Sequence, residues 1–145
     1  AMKKILTLTV IFAISLAACA DRIHMVTFNE LPVLAKNFIN KHYNSADVTY
    51  IEKEIDGIHH EFNVRLNNGT ELEFDQQGNL EHIDCQRTAV PQGIVPQLIV
   101  DYVNLHYSHL FIVEYHREAR RQQVDLNNDM ELIFDVEGNF LRIDD

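Results

Sequence analysis

The chain has 145 residues, with 22 acidic against 12 basic side chains and a formal net charge of −10; without residues 1–20, which hold Lys3 and Lys4 and no acid, the charge is −12. So acidic a chain repels nucleic acid and anionic lipid heads, which sets aside a nucleic-acid function and leaves a basic partner as the one that charge would steer. The part after residue 20, about 125 residues, is one ordinary domain or two small repeats sharing a sheet, and no stretch reaches the roughly 20 apolar residues of a spanning helix.

Ala1 precedes the initiator-like Met2 and is left out of the reading. Met2-Lys3-Lys4, the apolar run Ile5 to Leu16 and the small residues Ala17-Ala18-Cys19-Ala20 form the three parts of a signal peptide over residues 1–20. Leu16-Ala17-Ala18-Cys19 fits a lipobox, which would remove residues 1–18 and leave Cys19 lipidated. Ala18-Cys19-Ala20 also fits ordinary signal peptidase, with the mature chain starting at Asp21. Either reading predicts export to the periplasm or the cell surface, with a lipid anchor in the first case. Cys85 is the other cysteine, so no intramolecular disulfide framework is expected, and a small apolar side chain at a strand end is favoured over a reactive thiol.

Leu31, Leu34, Ala35, Phe38, Ile39 and His42 recur at helical spacing behind Pro32, whose missing N–H costs nothing in a first turn. The period then changes to two. Val48–Ile55 and Ile58–Leu66 flank an Asp56-Gly57 hairpin turn, Asn68-Gly69 leads into Glu71–Asp75, and Gln77-Gly78-Asn79 leads into Leu80–Asp84. Residues 86–94, with Pro91 and Gly93, read as a linker. The pattern then starts again: Val95, Leu98, Ile99, Tyr102, Val103 and His106 at helical spacing behind Pro96, followed by strands over about 110–117, 121–126, 131–135 and 139–144, with Asn128-Asp129 in place of Asn-Gly. The helices align at one constant offset, and the later strands at an offset four residues shorter. An internal repeat of this size means one supersecondary unit used twice, over residues 21–85 and 95–145.

Alternation assigns faces. Phe62, Val64, Leu66, Leu72 and Phe74, with Val124, Leu126, Leu132 and Phe134, share one side, which should carry the helices. The expected fold is α+β: tandem α-β4 repeats forming an extended antiparallel sheet of about eight strands, with two helices on one face and the other face open. Placing Ile83, Leu141 and Ile143 in the core turns Leu80, His82, Phe140 and Arg142 onto the open face. There they would join Ile133 and the carboxylates Glu71, Glu73 and Glu131. An aromatic beside Ile and Arg has the composition of an interface hot spot, so these eight residues form the expected binding surface.

No reaction chemistry stands out. His59-His60 point to opposite faces of a strand, His42 and His106 take matching helix-end positions, and His24, His82, His109 and His116 show no ligand spacing, so no bound metal and no cofactor are expected. Asp125-Leu126-Asn127-Asn128-Asp129 starts like a calcium loop, but Met130 and Val136 stand where that loop needs Gly and Glu. Ser45 and Ser108 sit in matching loops and read as turn residues, and no catalytic residue is assigned.

The repeated pattern of Leu-Pro, a helix ending in His-Tyr, an Asn-Asn-Gly or Asn-Asn-Asp turn, Glu-Leu-Glu-Phe-Asp, Gly-Asn and a closing Ile-Asp resembles the PepSY-like, β-lactamase-inhibitor-like exported proteins of Bacteroides and its relatives. That resemblance implies a tandem α-β4 fold whose open sheet grips another protein, as it grips an enzyme in the inhibitors; this chain lacks their tryptophan and disulfide. The expected function is a non-catalytic binding protein of the cell envelope, inhibitor-like, that engages another exported protein through the open face. The alternative is an envelope sensor of a small ligand or cation using acidic and histidine side chains on that face.

Overall fold

Two amphipathic helices, α1 (Val33–His42) and α2 (Gln97–His106), open the two repeats in a computed structural model that describes residues 22–144. The signal segment and Cys19 lie outside the described residues. Pro32 and Pro96 stand at the N-caps, where each carbonyl accepts a first helical hydrogen bond, from Lys36 and Val100 respectively. His42 and His106 fall in the last turns, where a cation or a weakly basic ring suits the negative end of the helix dipole. The apolar stripes bury Ala35 and Ile39 on α1, and Ile99 and Val103 on α2.

The strands are β1 (Ile23–Met25), β2 (Val48–Asp56), β3 (His59–Leu66), β4 (Glu71–Phe74), β5 (Leu80–Asp84), β6 (Ile112–Arg117), β7 (Gln122–Leu126), β8 (Glu131–Phe134) and β9 (Phe140–Asp144). All pair antiparallel in one sheet, in sequence order from β1 to β9. The expected α+β architecture is therefore present, with nine strands where about eight were read: the added one, Ile23–Met25, is too short for alternation to reveal it and pairs with Glu52–Glu54 of β2. Asp56 pairs with His59, so the first hairpin loop is Gly57-Ile58, one residue later than Asp56-Gly57.

One core lies between the helices and the sheet. It joins Ile39 and Ile99 to Phe62, Val64, Leu72, Phe74, Ile83, Tyr115, Val124, Leu132 and Phe134. Leu34 and Leu98, read as part of the buried stripes, are more than half exposed although their Cβ atoms lie against the β4–β5 and β8–β9 turns. Those turns end in Gly78 (φ 92) and Gly138 (φ 93), and a Cβ on Gly78 would come within 2.8 Å of the Ala35 nitrogen. Left-handed backbone and close approach together exclude a side chain there. The turns are held by Asp75 and Asp135, whose Oδ1 atoms accept from the Asn79 and Asn139 amides at 2.9 Å and 2.8 Å.

Each unit carries two β-bulges at matching positions. In the first, Thr49 and Glu81 are the extra residues; in the second, Val113 and Leu141 are. The later pair corrects the sequence reading. Glu73 pairs with His82 but Phe74 with Leu80, and Ile133 pairs with Arg142 but Phe134 with Phe140, so a strand read as one alternating phase changes face at Glu81 and Leu141. Leu80 and Phe140 therefore pack on the helix side, against the core. The Phe140 ring stacks on Tyr102 of α2 at 4.6 Å and meets Phe134 edge-on at 5.8 Å. Leu141, expected in the core, is the bulged residue and half exposed, and Ile143 is 45% exposed at the sheet edge.

The stacking makes Phe140 a stability residue. Phe140→Ala is expected to cost about 2–4 kcal/mol in urea unfolding, the range of aromatic truncation at a packed site. A loss within about 0.5 kcal/mol, the scale of a surface change, would return Phe140 to the open face.

Candidate functional site on the open face

The sheet register sorts the open face into two cross-strand rows. The first runs Met25, Glu52, Asn63, Glu73, His82, His116, Gln123, Ile133 and Arg142, and the second runs Tyr50, Arg65, Glu71, Asp84, Glu114, Asp125, Glu131 and Asp144. Of the eight residues expected to form the binding surface, the structure thus brings Glu71, Glu73, His82, Glu131, Ile133 and Arg142 to one face and removes Leu80 and Phe140. Ile133 is on that face by register but is fully buried, apart from the helix-side core, between Gln123 and Arg142 in its row. It is not a free apolar contact.

At the junction of the two units His82 bridges two carboxylates. Its Nε2 lies 2.7 Å from Glu114 Oε1 and its Nδ1 3.4 Å from Glu73 Oε1, while its ring packs 5.1 Å from that of His116. Burial opposes a charge on His82, but the hydrogen bonds to Glu114 and Glu73 and the charges of both outweigh it and push the imidazole up to about 10. Glu73 is in turn held below the usual carboxylate range, first by the hydrogen bond from His82.

Beyond Glu114 the second row contains Asp125, only 3% exposed. Burial pushes its carboxyl up to about 7; the Gln123 amide, 2.9 Å away, works against this, and the neighbouring charges of Glu114 and Glu131 add to it. Hydrogen bonding with Glu114 raises the Asp125 carboxyl further. Sequence reading missed Asp125 because it was absorbed into a false calcium-loop match. The available signal was its place in phase with Glu131 across a hairpin.

In the first unit Arg65 donates to Glu71, and a shallow hollow of about 200 Å³ between Tyr50, Glu52, Asn63 and Glu73 holds two buried polar atoms with no partner among the described residues, Asn63 Oδ1 and Arg65 Nε. Such atoms are met by water or by a bound group. Among the described residues no group of three His, Cys, Asp or Glu side chains is arranged to hold a metal ion. Asp129, at φ 69, takes the left-handed position of Gly69, so the calcium-like segment is a turn. Cys85 is buried at the end of β5, with its thiol pushed up first by burial and its sulfur 3.8 Å from the Tyr43 hydroxyl, which suits a packing role.

The arrangement defines a class: an α+β protein with one face closed by helices and the other an open, acid-lined sheet. The chain belongs to the family described as "putative beta-lactamase-inhibitor-like, PepSY-like", whose model matches residues 18–80 and again 60–142. Among solved structures it is similar to one described as a putative calcium-regulated periplasmic protein from Bacteroides thetaiotaomicron, 33% identical over 87% of this chain and 99% of that one, with a TM-score of 0.81. Two periplasmic proteins from Bacteroides vulgatus are alike to the same degree: one of the DUF2874 family (32% identity, 87% and 99% covered, TM-score 0.82) and one of unknown function (34%, 85% and 99%, 0.80). No curated protein matches the chain. The periplasmic descriptions agree with the location expected from sequence, and no helix among the described residues is long and apolar enough to cross a membrane.

The Asp125 environment sets a pH dependence. A carboxyl raised from 3.8 to about 7 contributes stability that is complete at low pH and is lost as pH rises through that interval. Asp125→Asn removes this contribution. The variant should therefore gain on the wild type in urea unfolding as pH rises from about 4, leading by on the order of 2 kcal/mol near pH 8. Parallel stability curves for the two proteins would show that Asp125 ionises normally.

Proposed function

We propose that this protein is a non-catalytic binding protein of the cell envelope that engages another exported protein, one with a basic contact surface, through the open face of its sheet. The observation that carries the reading is the second row, in which Glu71, Asp84, Glu114, Asp125, Glu131 and Asp144 stand side by side on six consecutive strands, with Arg65 at one end. Adjacent strands lie about 4.8 Å apart, so the row is a line of carboxyl groups across most of the sheet, acidic on balance although Arg65, His82 and Arg142 pair with Glu71, Glu114 and Asp144. Like charges directly opposite destabilise a sheet. A cationic surface laid on the row relieves that cost, and the Asn63 Oδ1, without a partner among the described residues, gives it a further acceptor. The family's description as beta-lactamase-inhibitor-like supports reading such a contact as one that restrains an enzyme.

The test is capture from an extract of exported proteins on the immobilised chain. A specific partner should be held at about 50 mM salt and released by about 300 mM, as expected for contacts screened over a Debye length. It should be lost from the triple variant Glu71→Gln, Glu131→Gln, Asp144→Asn and kept by the helix-side variant Leu98→Ala. Retention by the triple variant, or loss only with Leu98→Ala, would contradict this.

A second reading takes up the calcium regulation ascribed to the putative Bacteroides thetaiotaomicron protein: Glu114, Asp125 and Glu131 follow one another across β6, β7 and β8, not as a ligand cage but as a run of carboxyl groups that would attract a cation. Here a divalent cation acts by neutralising the row, in place of the proton that the buried Asp125 carboxyl takes up. Millimolar calcium should then raise the melting temperature of the wild type by a few degrees and that of Glu131→Gln by much less. Equal response of the two proteins, or none, removes this reading.

A further inference from the structure

The two repeats allow one strand edge to be compared in two settings. β5 and β9 are the same strand of the unit: Leu80, His82, Ile83 and Asp84 correspond to Phe140, Arg142, Ile143 and Asp144, with the bulged Glu81 corresponding to Leu141. The outer edge of β5 is occupied. His82, Ile83 and Asp84 pair with His116, Tyr115 and Glu114 of β6, and the Cys85 N–H donates outward to the Val113 carbonyl at 2.9 Å. This three-residue pairing leaves Ile83 0% exposed. β9 ends the sheet, and among the described residues no strand lies on its outer edge. Ile143 is accordingly 45% exposed, beside Leu141 at 50%. A hydrophobic edge with unpaired backbone groups is a template for another strand.

We propose that the outer edge of β9 pairs antiparallel with β9 of a second copy of this chain, about a two-fold axis at Ile143. In this register Ile143 meets the second copy's Ile143 on the helix side, as Ile83 meets Tyr115 within the chain. The parity that turns the Cys85 N–H out from β5 turns the Ile143 N–H out from β9, so the two isoleucines exchange both backbone hydrogen bonds. On the open face Arg142 stands opposite the second copy's Asp144, and this pair occurs twice. Within one copy the Arg142 Nε already donates to Asp144 Oδ1 at 2.8 Å, so the two groups only exchange partners.

A second copy fits better than a foreign strand because the edge is its own complement. A cation and an anion flank an apolar residue in alternate positions, and a two-fold axis through that residue matches each charge with its opposite. β1, at the other edge, offers Ile23, His24 and Met25 and no such alternation. Three paired residues are also what this chain uses to join its own two units. A net charge of −10 repels two copies at long range, which makes the association reversible and concentration-dependent.

Sedimentation equilibrium of the purified protein over a concentration series tests this. The wild type should show a monomer–dimer equilibrium, and Arg142→Asp or Asp144→Arg should each raise the dimer dissociation constant by about tenfold or more, since each sets two pairs of like charges face to face. An equimolar mixture of the two variants should recover near wild-type affinity as a one-to-one heterodimer, because the reversals complement each other. Ile143→Lys, at a position already exposed, should also dissociate the dimer, and unchanged melting temperatures would confirm that the variants fold. A wild type that stays monomeric, a variant that associates as the wild type does, or a mixture that gains nothing over its components would overturn the proposal.

Discussion

The pairing of β5 with β6 is the constraint on which the rest of the structure depends. It is three residues long, His82 with His116, Ile83 with Tyr115 and Asp84 with Glu114, and it makes one sheet out of two repeated units. On the helix side it places Ile83 and Tyr115 in the shared core. On the open side it sets Asp84 against Glu114, a like-charge pair that would weaken so short a junction. His82 answers this by standing between Glu73 of its own unit and Glu114 of the next, and it holds a proton because both carboxylates surround it.

From that junction the two faces diverge in what they do. The helix side satisfies the hydrophobic effect with a single core, sealed at the helix starts by the turns at Gly78 and Gly138. The open side gathers carboxyl groups in register and compensates only some of them: Glu71 by Arg65, Glu73 and Glu114 by His82, Asp144 by Arg142, and Asp125 by its raised affinity for a proton. Stability alone does not ask for such a row, since replacing it by alternating charges would lower the repulsion. A face that keeps costly charge in register is the kind of local departure from foldability found at functional sites.

Much of this was legible in the chain. The repeat, both helices, the strand order and the division into a helix face and an open face follow from periodicity and turn residues, because helix and strand periods are set by backbone geometry. The placement of Leu80 and Phe140 did not follow. A bulge inserts one residue without any mark in the alternation, so Phe140-Leu141-Arg142-Ile143 reads as one phase although the face changes at Leu141. The exposure of Ile143 was hidden for another reason: sequence shows which side a residue faces, but not whether a further strand covers the sheet edge. Asp125 was overlooked because its raised affinity for a proton comes first from its burial in the sheet and then from Glu114 and Glu131 on two other strands, surroundings that exist only once the register is known.

The junction of the two units depends on His82 being a charged bridge between Glu73 and Glu114. Nitrogen-15 NMR of the imidazole, followed through an alkaline titration, tests this: both ring nitrogens should remain protonated past about pH 8 and lose the proton only toward about 10. A midpoint near 6.5, the value of an unconstrained histidine, would contradict it, because His82 would then be largely neutral at physiological pH and could donate to only one of Glu73 and Glu114.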